Sequence, residues 1–390
     1  MDFREEIEGI YTEIVKIRRD IHAHPELGQE EFRTQKIVED FLTKEGIEFT
    51  RIADTGVLGI IRGNGEGKTV AIRADMDALP IHELTDLSFK SKYDGKMHAC
   101  GHDAHTSILL GVSKVLNRHR HEFSGNIKLF FQPAEETIGG AKRMVEEGCM
   151  DNPKVDHVIG LHVFPRLESG MIELKYDKMN ASTDTVRIEI EGKAGHGAYP
   201  HDSIDAIVIS AHVITSLQTL VSRTISPVES VVLSLGTIEG GVKGNVIADH
   251  VSLKGTLRTL DEDVRKLSKK TIEKIVVKTC EAMGGRGTVS FNEGYRALVN
   301  DDSVVRVIEE TARRCLGDEK VNIAKTPSLG AEDFSFFLEK ASGAFYNIGC
   351  GNEKEGIIYK GHHPKFAVDE SCFKVGILMQ VESALALLKK

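Results

Sequence analysis

Apolar positions recur at helical spacing through the first 45 residues and are broken only at HAHPELG (residues 22–28), which predicts two helices joined by a turn. Short continuous apolar runs follow at VLGIIRG and TVAIRADM and read as buried strands. A helix from about Ala104 to His119, the strand NIKLFF, a helix around Gly140 to Glu147 and the buried run HVIGLHV continue the alternation. Strands alternating with helices predict an α/β fold with a mostly parallel sheet flanked by helices.

The middle of the chain changes pattern. TVRIEIEG, a helix near Ser203 to Ser222, SVVLSLGTI, HVSLKGTLR, a helix near Asp261 to Ala282 and RGTVSFNEG give the order βαββαβ of a ferredoxin-like α+β unit. The α/β pattern resumes near Tyr295 and closes with a helix from about Ser371. The expected organisation is therefore a metal-binding catalytic domain from residues 1–182 and 295–390, carrying an inserted satellite domain, for dimerisation or as a lid, at residues 183–294.

Composition narrows the function classes. A chain of 390 residues with 41% hydrophobic content can bury a full core, and its net charge of −9 comes without long runs of one sign. The basic footprint of a nucleic-acid binder is missing. The first twenty residues are charged throughout, and no window reaches the roughly 18 apolar residues of a membrane span. The expectation is a soluble, cytoplasmic protein whose six scattered cysteines are mostly reduced.

The chemistry concentrates after the strands. MHACGHDAHT sets Cys100 and His102 two residues apart around a glycine, a spacing for a loop rather than one helix face. The alternative is a buried cysteine beside a helix start, with Asp103 and His105 in the first turn. FFQPAEE leaves Glu135 and Glu136 adjacent after Pro133, so that one can bind metal while the other faces a water; alone, such a pair is more often solvated. Asp75 and Asp77 end TVAIRADMD, where they could orient ligands, bind metal or cap a turn. His162 ends an apolar run, and His362 and His363 precede Pro364; each alone reads as a core or surface histidine.

Taken in order, RADMDALP, MHACGHDAHT, FQPAEE, GLHVFP, GKAGHGAYPH, GGVKGNVIAD, SLGAEDF and HHP resemble the M20 family of metallopeptidases and aminoacylases. More narrowly they resemble its amidohydrolase branch of hippurate hydrolases, indole-acetyl amino acid hydrolases and N-acetyl-diaminopimelate deacetylases. The resemblance implies metal ligands Cys100, His102, Glu136, His162 and His362, two divalent transition-metal ions (Zn, Mn, Ni or Co), and Glu135 as general base. Asp77 becomes a group that supports the ligands, while Asp75-Met76-Asp77 departs from the wider family's H-x-D and leaves Asp75 without an assigned role. His196, Asn245 and Arg258 match residues that bind a substrate carboxylate or an oxyanion, chemistry their side chains suit. Backbone N–H groups at Gly330 and Ala331 in SLGAEDF, at an expected strand-to-helix junction, could hold that carboxylate, or Glu332 or Asp333 could cap the helix.

The implied reaction is hydrolysis of the amide of a small N-acyl amino acid by a metal-activated water, in a homodimer joined through the inserted domain. A dipeptidase or peptidase of the same family, a thiol hydrolase using Cys100 with His102 or His105, and a non-catalytic metal-binding homologue are the alternatives.

Overall fold

Every residue of the central strand Thr69–Asp75 is buried, and its TVAIRAD run lies between two parallel neighbours with helices packed on it. The computed structural model describes residues 2–390 and divides into two units. The first contains α1 (Arg4–Ala23), α2 (Phe32–Lys44), β1 (Glu48–Ile52), β2 (Gly56–Arg62), β3 (Thr69–Asp75), α3 (His102–Arg118), β4 (Asn126–Gln132), α4 (Gly140–Glu146), β5 (His157–Glu168) and β6 (Ile172–Leu174). The chain then runs through β7 (Asp177–Asn180) into the second unit, made of β8 (Asp184–Glu191), β9 (Gly195–His196), α5 (Ala206–Thr219), β10 (Val231–Gly240), β11 (Val246–Ile247), β12 (His250–Thr259), α6 (Glu262–Ala282) and β13 (Arg286–Glu293). After β14 (Leu298–Asn300) it returns through α7 (Asp302–Leu316), β15 (Val321–Ile323), α8 (Ser335–Leu338), β16 (Ser342–Gly351) and α9 (Cys372–Leu388).

The sheet of the first unit has the order β1-β2-β4-β3-β5-β16-β6-β15. Its centre, β4-β3-β5-β16, is parallel, and antiparallel pairs flank it at β1-β2-β4 and at β16-β6. The predicted mostly parallel sheet is thus parallel where it is buried. Ile14 of α1, Ile108 and Val112 of α3, and Ile377 and Val381 of α9 belong to one core with Ile72 and Ile159. The second unit is a four-stranded antiparallel sheet of order β10-β12-β8-β13, the ferredoxin-like arrangement, with α5 and α6 packed on it through Val213, Leu217, Ile272 and Val276. A short β9-β11 ribbon is added to it.

Two details differ from the sequence reading. The second unit covers Asn180–Leu298 and also takes in Pro327–Glu332, so SLGAE groups with it. Asn180 bridges to Ser328, and the Ala181 amide donates to the Gly330 carbonyl at 3.0 Å. The stretch Ala206–Thr224 is also long and apolar enough, by length and composition, to cross a membrane, contrary to the expectation that no window would be. Isolated Ser, Thr, His and Gln interrupt its apolar run without making it polar on average. Ala206, Ile209, Val213 and Leu217 bury one side of it in the core of the second unit.

One clamp at the rim of the first unit gives a pH signature. Glu6 of α1 accepts from Arg118 at 2.9 Å and pairs with His119 at 2.8 Å, and His119 pairs with Glu122 at 2.7 Å. Burial opposes a charge on His119, but its hydrogen bonds with Glu6 and Glu122 outweigh this and raise its pKa. A raised folded pKa means stabilisation that is complete below the unfolded value of about 6.5 and lost as pH rises through the folded value. Glu6→Gln is therefore expected to lower the Tm more at about pH 6 than at about pH 9, and thermal melts in a His119→Asn background should lose that pH-dependent difference.

Candidate metal centre

The loop after β4, the middle of β5, the start of α3 with the residues before it, and the connection between β16 and α9 supply the donors. Cys100 precedes α3 by one residue, and Gly101 between it and His102 takes φ +93°, a left-handed conformation that costs glycine little. A Cβ at Gly101 would lie 2.3 Å from Cγ2 of Val163, so the bend also needs the missing side chain. It turns Cys100 back towards His162, whose Nε2 lies 3.3 Å from the Cys100 Sγ.

Donor atoms of Cys100, His102 and His162 lie within 4.8 Å of one another, as do those of Cys100, Glu136 and His362 and those of His102, Glu135 and Glu136. The five residues expected as ligands and the expected base are therefore one cluster. His362 adopts φ +66°, its amide donates to the Ala99 carbonyl at 2.7 Å, and its Nε2 stands 3.1 Å from Oε1 of Glu136. His363 turns elsewhere: it stacks on Tyr359 with ring centroids 4.4 Å apart, and its Nδ1 accepts from the Lys365 amide at 3.0 Å.

The ring nitrogens behind the cluster are already engaged. His102 pairs through Nδ1 with Asp77 Oδ1 at 3.0 Å, and His162 donates from Nδ1 to the Val163 carbonyl at 2.7 Å, which leaves Nε2 of each ring as a lone-pair donor facing inwards. The other oxygen of Asp77 accepts the Glu136 amide at 2.9 Å, so one carboxylate sets both a histidine and the glutamate loop. Asp75 has a different task. It pairs with Arg73 at 2.7 Å and with His105 Nδ1 at 2.6 Å. Since His105 Nε2 accepts the Val163 amide at 2.9 Å, its Nδ1 must carry the proton given to Asp75, and neither nitrogen is left for a cation. Burial agrees, holding His105 neutral with a pKa pushed down to about 4.

The donor set fits a divalent cation. Burial, and then the charge of Glu136, push the Cys100 thiol well above its usual range, so the protein alone does not favour a thiolate there. This removes the lowered pKa that a thiol nucleophile requires. Burial also opposes charge on His102, yet the carboxylate of Asp75 outweighs this and raises its pKa, so the space favours positive charge. A soft thiolate, imidazoles and a carboxylate in that space suit a transition metal.

Several supporting residues were missed in the sequence. Arg73, fully buried, binds Asp75, Gln132 at 2.7 Å and Asp333 at 3.1 Å, while Gln132 and the Ala141 amide also donate to Asp333. A lone arginine inside the apolar run TVAIRAD was the available signal. Arg18 and His22 of α1 hold Asp103 at 2.8 and 2.7 Å, fixing the first turn of α3 beside His102.

In the second unit, His196 pairs in register with Val246, and the Asn245 carbonyl accepts the Gly197 amide at 2.9 Å, so His196 and Asn245 are neighbours. Arg258 is half-buried on β12 opposite Val232. The expectation for SLGAEDF needs correcting. The Gly330 amide already donates to Ser328 Oγ at 3.0 Å, and a bend at Leu329 and Gly330, after the single bridge of Ser328 to Asn180, stands where a strand end was expected. The helix after it is a single turn whose N-cap is Phe334, with no side-chain cap, because Asp333 is committed to Gln132 and Arg73.

Fold and donor set together define a metal-dependent hydrolase. The chain belongs to peptidase family M20/M25/M40, whose sequence model matches residues 71–385. It is 42% identical over 392 residues to thermostable carboxypeptidase 2 of Saccharolobus solfataricus, covering 99% of this chain and 98% of that one. It is 38% identical over 377 residues to the N-acetyl-L-cysteine deacetylase of Bacillus subtilis, covering 96% and 88%. The Bacillus subtilis YXEP protein, described as a dinuclear metal binding peptidase from the M20 family, superposes with a TM-score of 0.86 at 32% identity, covering 98% and 99%. This chain is thus an enzyme that hydrolyses amides with a divalent metal cofactor.

Gly101→Ala tests the bend. Gly95, at φ +75° with open space around its Cβ position, supplies the control for backbone strain alone. Both alanine variants are expected to lose about 1–3 kcal/mol in thermal melts, but only Gly101→Ala should also lose bound cation, measured by elemental analysis after dialysis.

Proposed function

We propose that this enzyme cleaves the amide of a small N-acyl amino acid, with Glu135 as general base and two divalent transition-metal ions held by Cys100, His102, Glu136, His162 and His362. The observation that carries the reading is a buried Glu135 beside Glu136 and His102: a second carboxylate exceeds what a structural metal site needs. The similarity to an N-acetyl-L-cysteine deacetylase supports the acyl-amino-acid substrate. Removal of a C-terminal residue from a peptide is the second reading, supported by the carboxypeptidase relative.

Cations bound there lower the pKa of a water towards about 7 and polarise a carbonyl. Asp77 keeps the Nδ1 proton of His102 in place and fixes the Glu136 backbone, so that the donors hold their directions through the reaction. Glu135 removes a proton from the attacking water and returns it to the leaving nitrogen as the carbon–nitrogen bond breaks. To His196, Asn245 and Arg258 we assign the substrate carboxylate and the developing oxyanion, on the strength of their donor chemistry.

A panel of N-acetyl, N-benzoyl and N-indole-acetyl amino acids and short peptides, assayed with Zn, Mn, Ni or Co, separates the two readings. Glu135→Gln is expected to lower kcat on the preferred substrate by at least about 100-fold while its bound cation stays at the wild-type level. Full activity after chelation, or in Glu135→Gln, would refute the assignment.

The same proposal includes a homodimer through the second unit. Its edge strand β10 has an unpaired side, and Ile207, Val208 and Val221 on or just after α5, with Ile238 on β10, are large apolar side chains left exposed. Val208→Asp combined with Ile238→Lys is expected to convert a dimer into a folded monomer by light scattering. A wild-type monomer with full activity would count against it.

A further inference from the structure

The loop that carries Glu135 is held at both of its flanking amides by carboxylates from other parts of the chain. Asp77 takes the Glu136 amide, as described. The Ala134 amide donates to Glu31 Oε1 at 2.8 Å, and the opposite oxygen, Oε2, accepts from the Thr55 hydroxyl at 2.6 Å. Glu31 is wholly buried although it lies in QEEFR, a polar stretch at the start of α2. Ala134 is buried and has φ +56°, a left-handed conformation that is costly for alanine and persists only when its surroundings impose it. Its carbonyl accepts from the amides of Gly139 and Gly140 at 3.1 and 3.3 Å, so the strained residue is pinned on both sides.

The rest of the turn between α1 and α2 supports that grip. A Cβ at Gly28 would lie 2.4 Å from Thr137 Oγ1 and 3.1 Å from the Ala134 Cα, so the HPELG backbone lies directly against the glutamate loop. Glu26 accepts the Arg33 and Thr34 amides at the start of α2, each at 2.8 Å, and its own carbonyl accepts the Ala78 amide at 2.8 Å, next to Asp77. Both aspartate and glutamate loops are thereby fastened to one N-terminal bracket.

We propose that Glu31 is a positioning residue: by fixing the Ala134 amide it holds the strained turn that aims Glu135 and Glu136 into the cluster. Its carboxylate acts through two hydrogen bonds rather than through charge. Glutamine can keep both, accepting the Ala134 amide at its oxygen and donating to the Thr55 oxygen. Leucine can keep neither and leaves two buried donors unpaired.

The proposal rests on the metal-hydrolase reading, and its test includes a measurement made without substrate. Glu31→Leu is expected to lower kcat about 10- to 100-fold with KM changed less than about threefold, and to change the visible spectrum of the cobalt-loaded protein as Glu136 shifts. Glu31→Gln should keep kcat within about threefold of wild type and restore the spectrum. A folded Glu31→Leu with wild-type kcat and spectrum overturns the proposal, as does a glutamine variant as impaired as the leucine one. If Glu31→Leu does not fold, Thr55→Val, which frees one side of the Glu31 carboxylate, carries the same two readouts with a smaller expected change, and wild-type values in both overturn it. A wild-type protein inert on every amide refutes the amide-hydrolase reading alone, since the cobalt spectra still report on Glu31.

Discussion

Like charges crowded in a buried space are the constraint on which this structure depends. Glu135, Glu136 and a cysteine sulfur come together at one cluster, with Asp75 and Asp77 directly behind it, all removed from much of the water that would screen them. Such a set is stable only if cations balance it. The protein provides two of its own, the fully buried Arg18 and Arg73, but directs both away from the cluster, to Asp103 and to Asp75 with Asp333. At the centre itself His102 and His362, both with raised pKa values, offer part of the balance, and a divalent cation there would supply the rest.

Holding the donors still is the second requirement, and the fold meets it with hydrogen bonds that leave little freedom. Each inward-facing ring nitrogen of His102 and His162 is defined by what the other nitrogen does, and His105, with both nitrogens in use, links Asp75 to the β5 backbone instead of competing for the ion. Left-handed turns occur at the same places: Gly101 before His102, Ala134 before Glu135, and His362 itself have positive φ, which is costly for the alanine and the histidine. At Ala134 and His362 the conformation is imposed by surrounding hydrogen bonds, from Gly139 and Gly140 to the Ala134 carbonyl and from the His362 amide to Ala99.

Much of this was legible in the sequence. The Cys100-Gly101-His102 spacing, the adjacent Glu135 and Glu136, and the βαββαβ order are local patterns, and local patterns survive as letters in a row. Glu31, Arg18 and His22 were not legible, because their partners Ala134 and Asp103 are far along the chain and each residue reads as part of a polar helix surface or turn. The same limit explains SLGAEDF. Its acidic residues look like a helix cap until Asp333 is seen to be held by Arg73 and Gln132, from strands 260 and 201 residues away in sequence. The short strands β1, β6 and β15 carry too few residues to show a period, and sheet pairing alone defines them.

The division of the chain also orders its birth. All four strands and both helices of the inserted βαββαβ unit lie between Asp184 and Glu293, so its sheet and helices can close while the remainder is still being synthesised, and Pro327–Glu332 joins it later. The surrounding unit cannot: α9 begins at Cys372, and Arg18 near the start of the chain pairs with Glu370 near its end. His362 emerges only shortly before that. The cluster is therefore among the last features of the nascent protein to exist, and its early members Cys100, His102, Glu136 and His162 must wait, incompletely assembled, through the making of more than half the polypeptide.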